Sequence, residues 1–242
     1  MWKYILLGIL QGIFEWLPIS SEGIVALTSR FLVININPID VALFLHFGTL
    51  FAVLIYFWKD WKDILTLRNL ELFRFLLIAT LVSLLIGYPI YNGIKDITVV
   101  GDSLLILMGF GLLLTAYFHK TKKKIKIDDD KLAVVSGFLQ GLAVIPGVSR
   151  SGATIFGLSL GKNSPKEILK ISYMISVPVI LASSFYLFLN NQTIIVEGWF
   201  SLIASFLVGF LTLKFLMNIA KKINFFKFAL IFALLCFLGA AL

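Results

Sequence analysis

The stretch Pro146-Gly-Val-Ser-Arg-Ser-Gly-Ala-Thr154 places an arginine and several hydroxyl groups inside an otherwise apolar sequence. A shorter copy, Pro18-Ile-Ser-Ser-Glu-Gly23, interrupts the sequence near its start. Of the 242 residues, 60% are hydrophobic and 14% are charged, and the mean hydropathy is +0.98. Globular domains carry about 25% charged residues. The composition therefore indicates an all-α polytopic membrane protein with two polar interruptions.

Apolar segments of about 18 or more residues can cross the ~30 Å hydrocarbon core as helices. Backbone groups that a break leaves unpaired in lipid are tolerated only where protein or water covers them. Each pair of short apolar pieces around a polar stretch is therefore predicted to be re-entrant, entering and leaving on one side. The six predicted spans are Asp40–Trp58, Leu72–Tyr91, Thr98–Phe118, Ile168–Asn190, Gly198–Met217 and Phe225–Leu242. The re-entrant pairs are Trp2–Leu17 with Ser21–Ile34, and Lys131–Ile145 with Ser151–Leu160.

The two re-entrant pairs are copies of each other. The Gly-Ile-Leu-Gln-Gly of Gly8–Gly12 matches the Gly-Phe-Leu-Gln-Gly of Gly137–Gly141, and each copy is followed by a proline and a serine in the same order. Three full spans, an odd number, separate the copies, so the second copy must be upside down relative to the first. The sequence predicts a single membrane domain built as an inverted repeat, with broken helices meeting near the midplane. The two repeats are about 1–119 and about 131–242.

The distribution of basic residues provides a test of this topology. With both pairs re-entrant, most of the 21 Lys and Arg residues fall on one side, and the other side holds only Lys3, Arg30 and Lys95. The positive-inside rule places the basic side in the cytoplasm. This predicts a multi-pass protein of the cell membrane with both termini outside, and it explains the net charge of +8 without a nucleic acid partner. The cytoplasmic set is Lys59, Lys62, Arg68, Arg74, Lys120, Lys122, Lys123, Lys124, Lys126, Lys131, Lys162, Lys166, Lys170, Lys221, Lys222 and Lys227.

Four tryptophans lie near predicted helix ends, where they are expected to anchor the protein in the membrane interface. They are Trp2, Trp16, Trp58 and Trp61.

The position of Arg150 requires an explanation, because placing an arginine at membrane depth costs several kcal/mol of free energy unless it is paired. Ser149, Ser151 and Thr154 supply hydroxyl groups beside it, and Gly152 lets the backbone approach a ligand closely. A helix beginning near Ser151 would direct its N–H groups and positive dipole end at an anion, and the guanidinium fork suits phosphate oxygens. The pattern favours a phosphate-binding site. The alternative is a structural arginine held by carbonyl groups or by an acidic partner.

Glu15 is the carboxylate of the first re-entrant pair. It lies one turn after Gln11, on the same helix face. A carboxylate buried in lipid needs a metal ion, a proton or an arginine. Glu15 could therefore hold a divalent cation, act as a base, or pair with Arg150 of the opposed repeat.

Glu22 and His46 are further candidates for acid–base chemistry. If Ser21 begins the second helix, Glu22 falls in its first turn, where a carboxylate suits the helix dipole without any catalytic role. His46 lies in the span Asp40–Trp58, and histidine titrates near neutral pH. A lone histidine in an apolar helix nevertheless serves packing more often than chemistry.

Three blocks, in this order, resemble the undecaprenyl-pyrophosphate phosphatase family, the bacitracin-resistance type of integral membrane phosphatase. They are Gln11–Ser21, His46–Val53 and Pro146–Thr154, and the last is nearly the whole PGxSRSxxT block, the most specific of the three. The resemblance covers essentially the full chain. It implies removal of the terminal phosphate from a polyprenyl diphosphate lipid, which recycles the carrier for cell-envelope or glycan synthesis. It also implies a divalent cation, Mg²⁺ or Ca²⁺, and a site open to the outer face.

By position, the resemblance assigns metal binding to Gln11 and Glu15 and the nucleophile to Ser21. The phosphate-binding and substrate-binding positions are Ser20, Ser149, Arg150, Ser151, Gly152 and Thr154. The chain departs from the family pattern SSTGH, because Glu22 replaces the threonine and Ile24 replaces the histidine. Isoleucine cannot transfer a proton, so we expect Glu22 or His46 to supply the base.

A transporter is the alternative hypothesis. Opposed re-entrant helices also occur in transporters, so the chain could move the lipid carrier or a related anion without hydrolysis, as a flippase does. The sequence leaves open the length of the lipid, undecaprenyl or dolichyl type, the metal, and the oligomeric state, a homodimer included.

Overall fold

The computed structural model describes residues 2–32, 38–94, 106, 109–110, 112–113, 127–145, 148–162, 164–190 and 193–241. Regular structure in these ranges is helical. The helices whose bounds are defined are α1 (Trp2–Phe14), α2 (Ser21–Leu32), α3 (Pro38–Tyr56), α4 (Trp58–Leu65), α5 (Leu70–Ile94), α6 (Asp129–Leu142), α7 (Arg150–Ser159), α8 (Pro165–Asn190), α9 (Thr193–Ala220) and α10 (Phe225–Ala241).

Three of these helices are long and apolar enough to cross a membrane, and a fourth joins them if α3 and α4 count as one bent span. The three are the segments Leu70–Gly93 of α5, Pro165–Phe185 of α8 and Gly198–Ala220 of α9. The apolar helix α10 has 17 residues and falls just short. The predicted span Thr98–Phe118 lies mostly outside the described residues. A helical membrane protein is therefore confirmed, whereas the number of six spans stays a prediction.

The span predicted as Asp40–Trp58 is wrong at its end. The helix α3 stops at Tyr56, and Trp58 begins the separate helix α4, which bends away by 81°. In α4, Trp61 and Ile64 are one turn apart and buried, while Lys59 and Lys62 face outward. An amphipathic pattern of this kind turns one face of a helix to the protein and the other to a polar surface.

The expectation for the tryptophans is right for two of the four. Trp2 and Trp58 are 64% and 61% exposed, as interface anchors should be. Trp16 and Trp61 are buried, at 1% and 9% exposed. The indole N–H of Trp16 donates to the carbonyl of Gly209 at 2.8 Å, which satisfies its polar atom inside the protein.

The four short pieces predicted around the polar stretches are helices, with bounds within three residues of those expected. The break between α1 and α2 spans 15–20, and the break between α6 and α7 spans 143–149. Each short helix before a break packs along a long helix from the other half of the chain, α1 along α9 and α6 along α5.

Glycines permit this close packing. A Cβ at Gly12 would lie 2.6 Å from the backbone nitrogen of Gly209, and a Cβ at Gly141 would lie 2.8 Å from Cβ of Ile86. Small residues let membrane helices approach backbone to backbone. The first break lies against the helix that follows the second: a Cβ at Gly152, in the first turn of α7, would lie 3.1 Å from Cβ of Pro18.

Candidate active site

The two breaks and α3 surround a small cavity of about 20 Å³, which is partly open to solvent. This volume is far below the roughly 300–1,000 Å³ of pockets that enclose whole small molecules, so a long lipid cannot lie inside it. The cavity is lined by Glu15, Ile19, Ser20, Ser21, Glu22, His46, Ala143, Val148, Ser149, Arg150 and Ser151.

An ion pair between Glu15 and Arg150 joins the two breaks across the cavity. Nη2 of Arg150 donates to Oε1 of Glu15, and the two side chains are 15% and 1% exposed. The other terminal nitrogen of the guanidinium group, Nη1, is buried and has no hydrogen-bond partner within the ranges that the structure describes. Since an unpaired buried donor is costly, this N–H group is free to donate to an anionic oxygen.

The second carboxylate oxygen of Glu15 contacts three further polar side chains. Oε2 accepts hydrogen bonds from Oγ of Ser21 at 2.9 Å and from Nε2 of Gln11 at 2.6 Å. Nε2 of His46 lies 3.1 Å from the same oxygen. One buried carboxylate therefore links a hydroxyl, an amide, an imidazole and a guanidinium group.

The tautomer of His46 follows from its contacts. Nδ1 lies 2.7 Å from the carbonyl oxygen of Ala42, which can only accept, so Nδ1 carries a proton. Nε2 and Oε2 of Glu15 would otherwise be two facing acceptors, so their 3.1 Å contact requires a shared proton. Ser21, Glu15 and His46 thus form a continuous path for one proton.

Glu22 stands at the opening of this cluster. The helix α2 begins at Ser21, so Glu22 lies in its first turn, as the capping interpretation expects. Its side chain is 45% exposed, and Oε1 lies 3.8 Å from Nε2 of His46. Glu22 therefore lies between the imidazole and the outside of the cavity, a position that helix capping alone does not require.

The match to known proteins covers nearly the whole chain. Residues 4–238 match the family model described as bacitracin resistance protein BacA. This chain belongs to the bacitracin resistance protein BacA family.

Individual relatives agree with the family match. The chain is 33% identical to an undecaprenyl-diphosphatase of Haloarcula marismortui, over 98% of this chain and 96% of the relative. It is 32% identical to an undecaprenyl-diphosphatase of Methanopyrus kandleri, over 96% and 93%. It is 33% identical to one of Bdellovibrio bacteriovorus, over 91% and 88%.

The chain lacks one histidine of the BacA pattern, yet a histidine contacts the carboxylate at the centre of the site. Ile24 stands at the family's histidine position in α2, whereas the imidazole that contacts Glu15 belongs to His46 and arrives from α3. His46 lines the cavity and contacts Glu15, which favours the acid–base candidate over the packing alternative. Sequence order alone could not reveal that an imidazole from another helix meets Glu15.

Two serines of the BacA motifs cap helices at the cavity wall. Oγ of Ser20 accepts from the N–H of Gly23 at 3.1 Å, and Oγ of Ser149 accepts from the N–H of Gly152 at 3.2 Å. The expected helix start near Ser151 is confirmed, with Ser149 as the N-cap. These caps tie the hydroxyl groups to the backbone while leaving both residues on the cavity surface.

Two predicted substrate-binding residues do not reach the cavity. Oγ1 of Thr154 lies 2.6 Å from Oγ of Ser172 on α8, and the side chain is fully buried between the helices. Gly152 packs against Pro18 instead of facing the cavity. Both residues follow Arg150 by about half a turn or one turn, so the rotation of α7 directs them at neighbouring helices.

The residues that could hold a divalent cation are Glu15, Gln11 and Glu22. Oε1 of Gln11 is buried and unpartnered within the described ranges, and carbonyl and carboxylate oxygens are the ligands that Mg²⁺ and Ca²⁺ prefer. Within the same ranges no group of three or more His, Cys, Asp or Glu side chains is placed to hold a metal ion. Mg²⁺ is commonly bound by one or two carboxylates plus substrate phosphates. These oxygen atoms are of the kind that such a cation would require, and a bound phosphate would have to supply further ligands.

Proposed function

We propose that this chain hydrolyses a polyprenyl diphosphate, undecaprenyl diphosphate or a similar lipid, to the monophosphate and inorganic phosphate, and so recycles the lipid carrier. The relatives that match over nearly the whole chain are named undecaprenyl-diphosphatase. One observation carries the proposal: a buried, unpartnered guanidinium nitrogen of Arg150 beside a serine hydroxyl that donates to a carboxylate. Transport without hydrolysis is not favoured, since it needs no such hydroxyl–carboxylate pair.

In the first step, Arg150 binds the terminal phosphate and stabilises the charge that develops on its oxygens, where most phosphoryl-transfer catalysis lies. Oγ of Ser21 attacks the phosphorus, and the bridging P–O bond breaks. The prenyl monophosphate leaves with the electron pair of that bond. The proton of Ser21 passes to Glu15, and His46 keeps the proton that it already shares with this carboxylate.

In the second step, water hydrolyses the phosphoserine. Glu22 and His46 both line the cavity, with Oε1 and Nε2 3.8 Å apart. The carboxylate of Glu22, held beside His46, takes a proton from the attacking water, whose oxygen bonds to phosphorus. Ser21 recovers its proton from Glu15 as its bond to phosphorus breaks. A base in the first turn of α2 then performs the proton transfer that Ile24 cannot.

A divalent cation, Mg²⁺ or Ca²⁺, forms part of the proposal. Glu15 and Gln11 would hold it together with diphosphate oxygens, and the cation would supply charge neutralisation on the phosphates.

An inverted repeat is the architecture that we propose for the domain, with repeats of about 1–119 and about 131–242. Each of the short helices α1 and α6 packs along a long helix from the other half of the chain, α1 along α9 and α6 along α5, and this supports the proposal. So does a repeated side-chain bond: Thr49 donates to the carbonyl of His46 in α3 at 3.0 Å, and Ser176 donates to that of Tyr173 in α8 at 2.7 Å. The two pairs occupy the same relative positions in the two halves.

The proposed topology has both termini outside and the cavity open to the outer face. Ion pairs among residues assigned to the cytoplasmic side support it, since Lys170 pairs with Asp60 and Arg74 pairs with Asp130. Lys162 bridges Asp129 and Glu167 at 2.9 and 3.3 Å. Partial burial acts to lower the pKa of Lys162, but the bond to Asp129 and the charge of Glu167 outweigh it and raise the pKa.

Phosphate release by the purified protein tests the function. The protein in detergent is incubated with undecaprenyl diphosphate and Mg²⁺, and inorganic phosphate and undecaprenyl monophosphate are quantified. We expect one phosphate for each monophosphate. In liposomes, movement of the lipid across the bilayer without any phosphate release would instead favour the transporter.

A further inference from the structure

Two carbonyl groups directly after Glu15 need hydrogen-bond donors. The helix α1 ends at Phe14, so carbonyls that follow it in the first break have no helical N–H partner. In a membrane protein such groups are costly unless other parts of the protein serve them. Here they are the carbonyls of Trp16 and Leu17, in the first break.

Side chains of the second half of the chain supply these donors. The hydroxyl of Tyr173 on α8 donates to the carbonyl of Trp16 at 3.1 Å. Ser149 and Ser151 both contact the carbonyl of Leu17, Ser149 at 3.3 Å. Three hydroxyl groups from α8 and the start of α7 thus hold two consecutive peptide groups of the first break.

Tyr173 holds Trp16 in a second way. The two rings meet edge to face, with centroids 5.0 Å apart and planes inclined by 61°. Tyr173 is fully buried, and the indole of Trp16 is fixed on its far side by Gly209. The ring and the carbonyl of Trp16, the residue after Glu15, are therefore both fixed. The direction of the Glu15 side chain depends on the peptide that joins these two residues.

We propose that Tyr173 is a positioning residue for the phosphatase reaction: its hydroxyl, through the carbonyl of Trp16, holds the Glu15 carboxylate in register with Ser21 and Arg150. This inference rests on the proposed function. Tyr173 does not line the cavity, so it acts through the first break and not on the substrate. A carboxylate that is displaced slightly receives the proton of Ser21 less well, whereas Arg150 still binds phosphate.

The substitution Tyr173→Phe removes the hydroxyl and keeps the ring. We expect kcat for undecaprenyl diphosphate to fall about tenfold or more, since small misplacements of catalytic groups are that costly. The KM and the inhibition constant of inorganic phosphate, which reports binding at Arg150, should stay within about twofold of the unsubstituted protein. A loss of packing alone would lower the amount of folded protein without this split.

The matched control is Tyr56→Phe, whose ring packs on Phe57 and Phe210 outside the site. It should leave kcat and KM unchanged. If Tyr173→Phe does not fold, 4-aminophenylalanine and 4-methylphenylalanine at position 173 provide an equal-sized pair, and only the amino group can donate. Higher kcat for the amino variant supports the inference. Equal kcat for that pair, or an unchanged kcat for Tyr173→Phe, overturns it. Absence of phosphate release from the unsubstituted protein defeats the proposed function itself.

Discussion

Arg150 and Glu15 lie 135 positions apart in the sequence and form an ion pair across the two breaks. Each charge would be expensive alone at membrane depth, and together they leave one guanidinium nitrogen without a partner. A phosphate can bind this nitrogen while Glu15 keeps its contact with Nη2. The same ion pair therefore stabilises the resting site and leaves one N–H donor of Arg150 for the substrate.

Arg150→Lys should lower kcat/KM about 10³-fold. Lysine keeps the charge and loses the planar fork that binds phosphate oxygens, and arginines that stabilise phosphoryl transfer contribute on this scale. Steady-state phosphate release measures the effect. Arg74→Lys is the control, because Arg74 is 68% exposed and pairs with Asp130 away from the cavity. Near-normal activity of Arg150→Lys would show that the fork does not bind the substrate.

Ser21→Ala should abolish turnover, with a loss of about 10³-fold or more, because the variant has no nucleophilic oxygen. Ser183→Ala serves as the control, since Ser183 donates within α8 to the carbonyl of Ile180 at 3.0 Å. Rapid quenching with acid should reveal a phosphate on Ser21 in the unsubstituted protein. Substantial turnover by Ser21→Ala would assign the attack to water.

Glu22→Gln should slow the second step more than the first. The amide cannot accept the proton of the attacking water, so phosphoserine should accumulate and steady-state turnover should fall by 10²-fold or more. His46→Ala should do the same and should also lower the rate of the first step, since His46 shares the proton of Glu15. Mass spectrometry of quenched reactions measures the phosphorylated fraction. Normal rates in both variants would remove these residues from the mechanism.

Chelation with EDTA should stop phosphate release, and added Mg²⁺ or Ca²⁺ should restore it. Glu15→Gln should raise the Mg²⁺ concentration needed for half-maximal rate, because an amide binds the cation less strongly than a carboxylate does. The control Glu71→Gln changes a carboxylate in the first turn of α5 and should leave that concentration unchanged. Full activity in EDTA would contradict the metal proposal.

Gly12→Val should destabilise the fold by about 3 kcal/mol or more, because the added atoms overlap the backbone of α9. Thermal unfolding in detergent measures the loss. Gly93→Ala is the comparison, since a Cβ there would meet nothing within 4 Å, and alanine favours a helix by about 1 kcal/mol over glycine. Equal melting temperatures for Gly12→Val and the unsubstituted protein would contradict the close packing of α1 on α9.

The interpretation of individual residues from the sequence was most successful where burial cost decides the outcome. Glu15 and Arg150 stand out in an apolar chain because neither charge is tolerated without a partner, and the structure pairs them. The helix starts near Ser21 and Ser151 follow from local capping chemistry, and both are confirmed. The turn from α3 into α4 was missed, because a continuous apolar run does not reveal where a helix bends.

The sequence by itself determined the membrane class, the two breaks and the residues that carry charge into them, because hydropathy, helix capping and the cost of a buried charge are local properties. Only the tertiary structure decided which side chains meet. It brings His46 from α3 to Glu15, turns Thr154 toward α8, and directs Tyr173, Ser149 and Ser151 at the carbonyls of the first break. The rotation and depth of each helix determine these contacts, and both depend on packing against helices that are distant in the sequence.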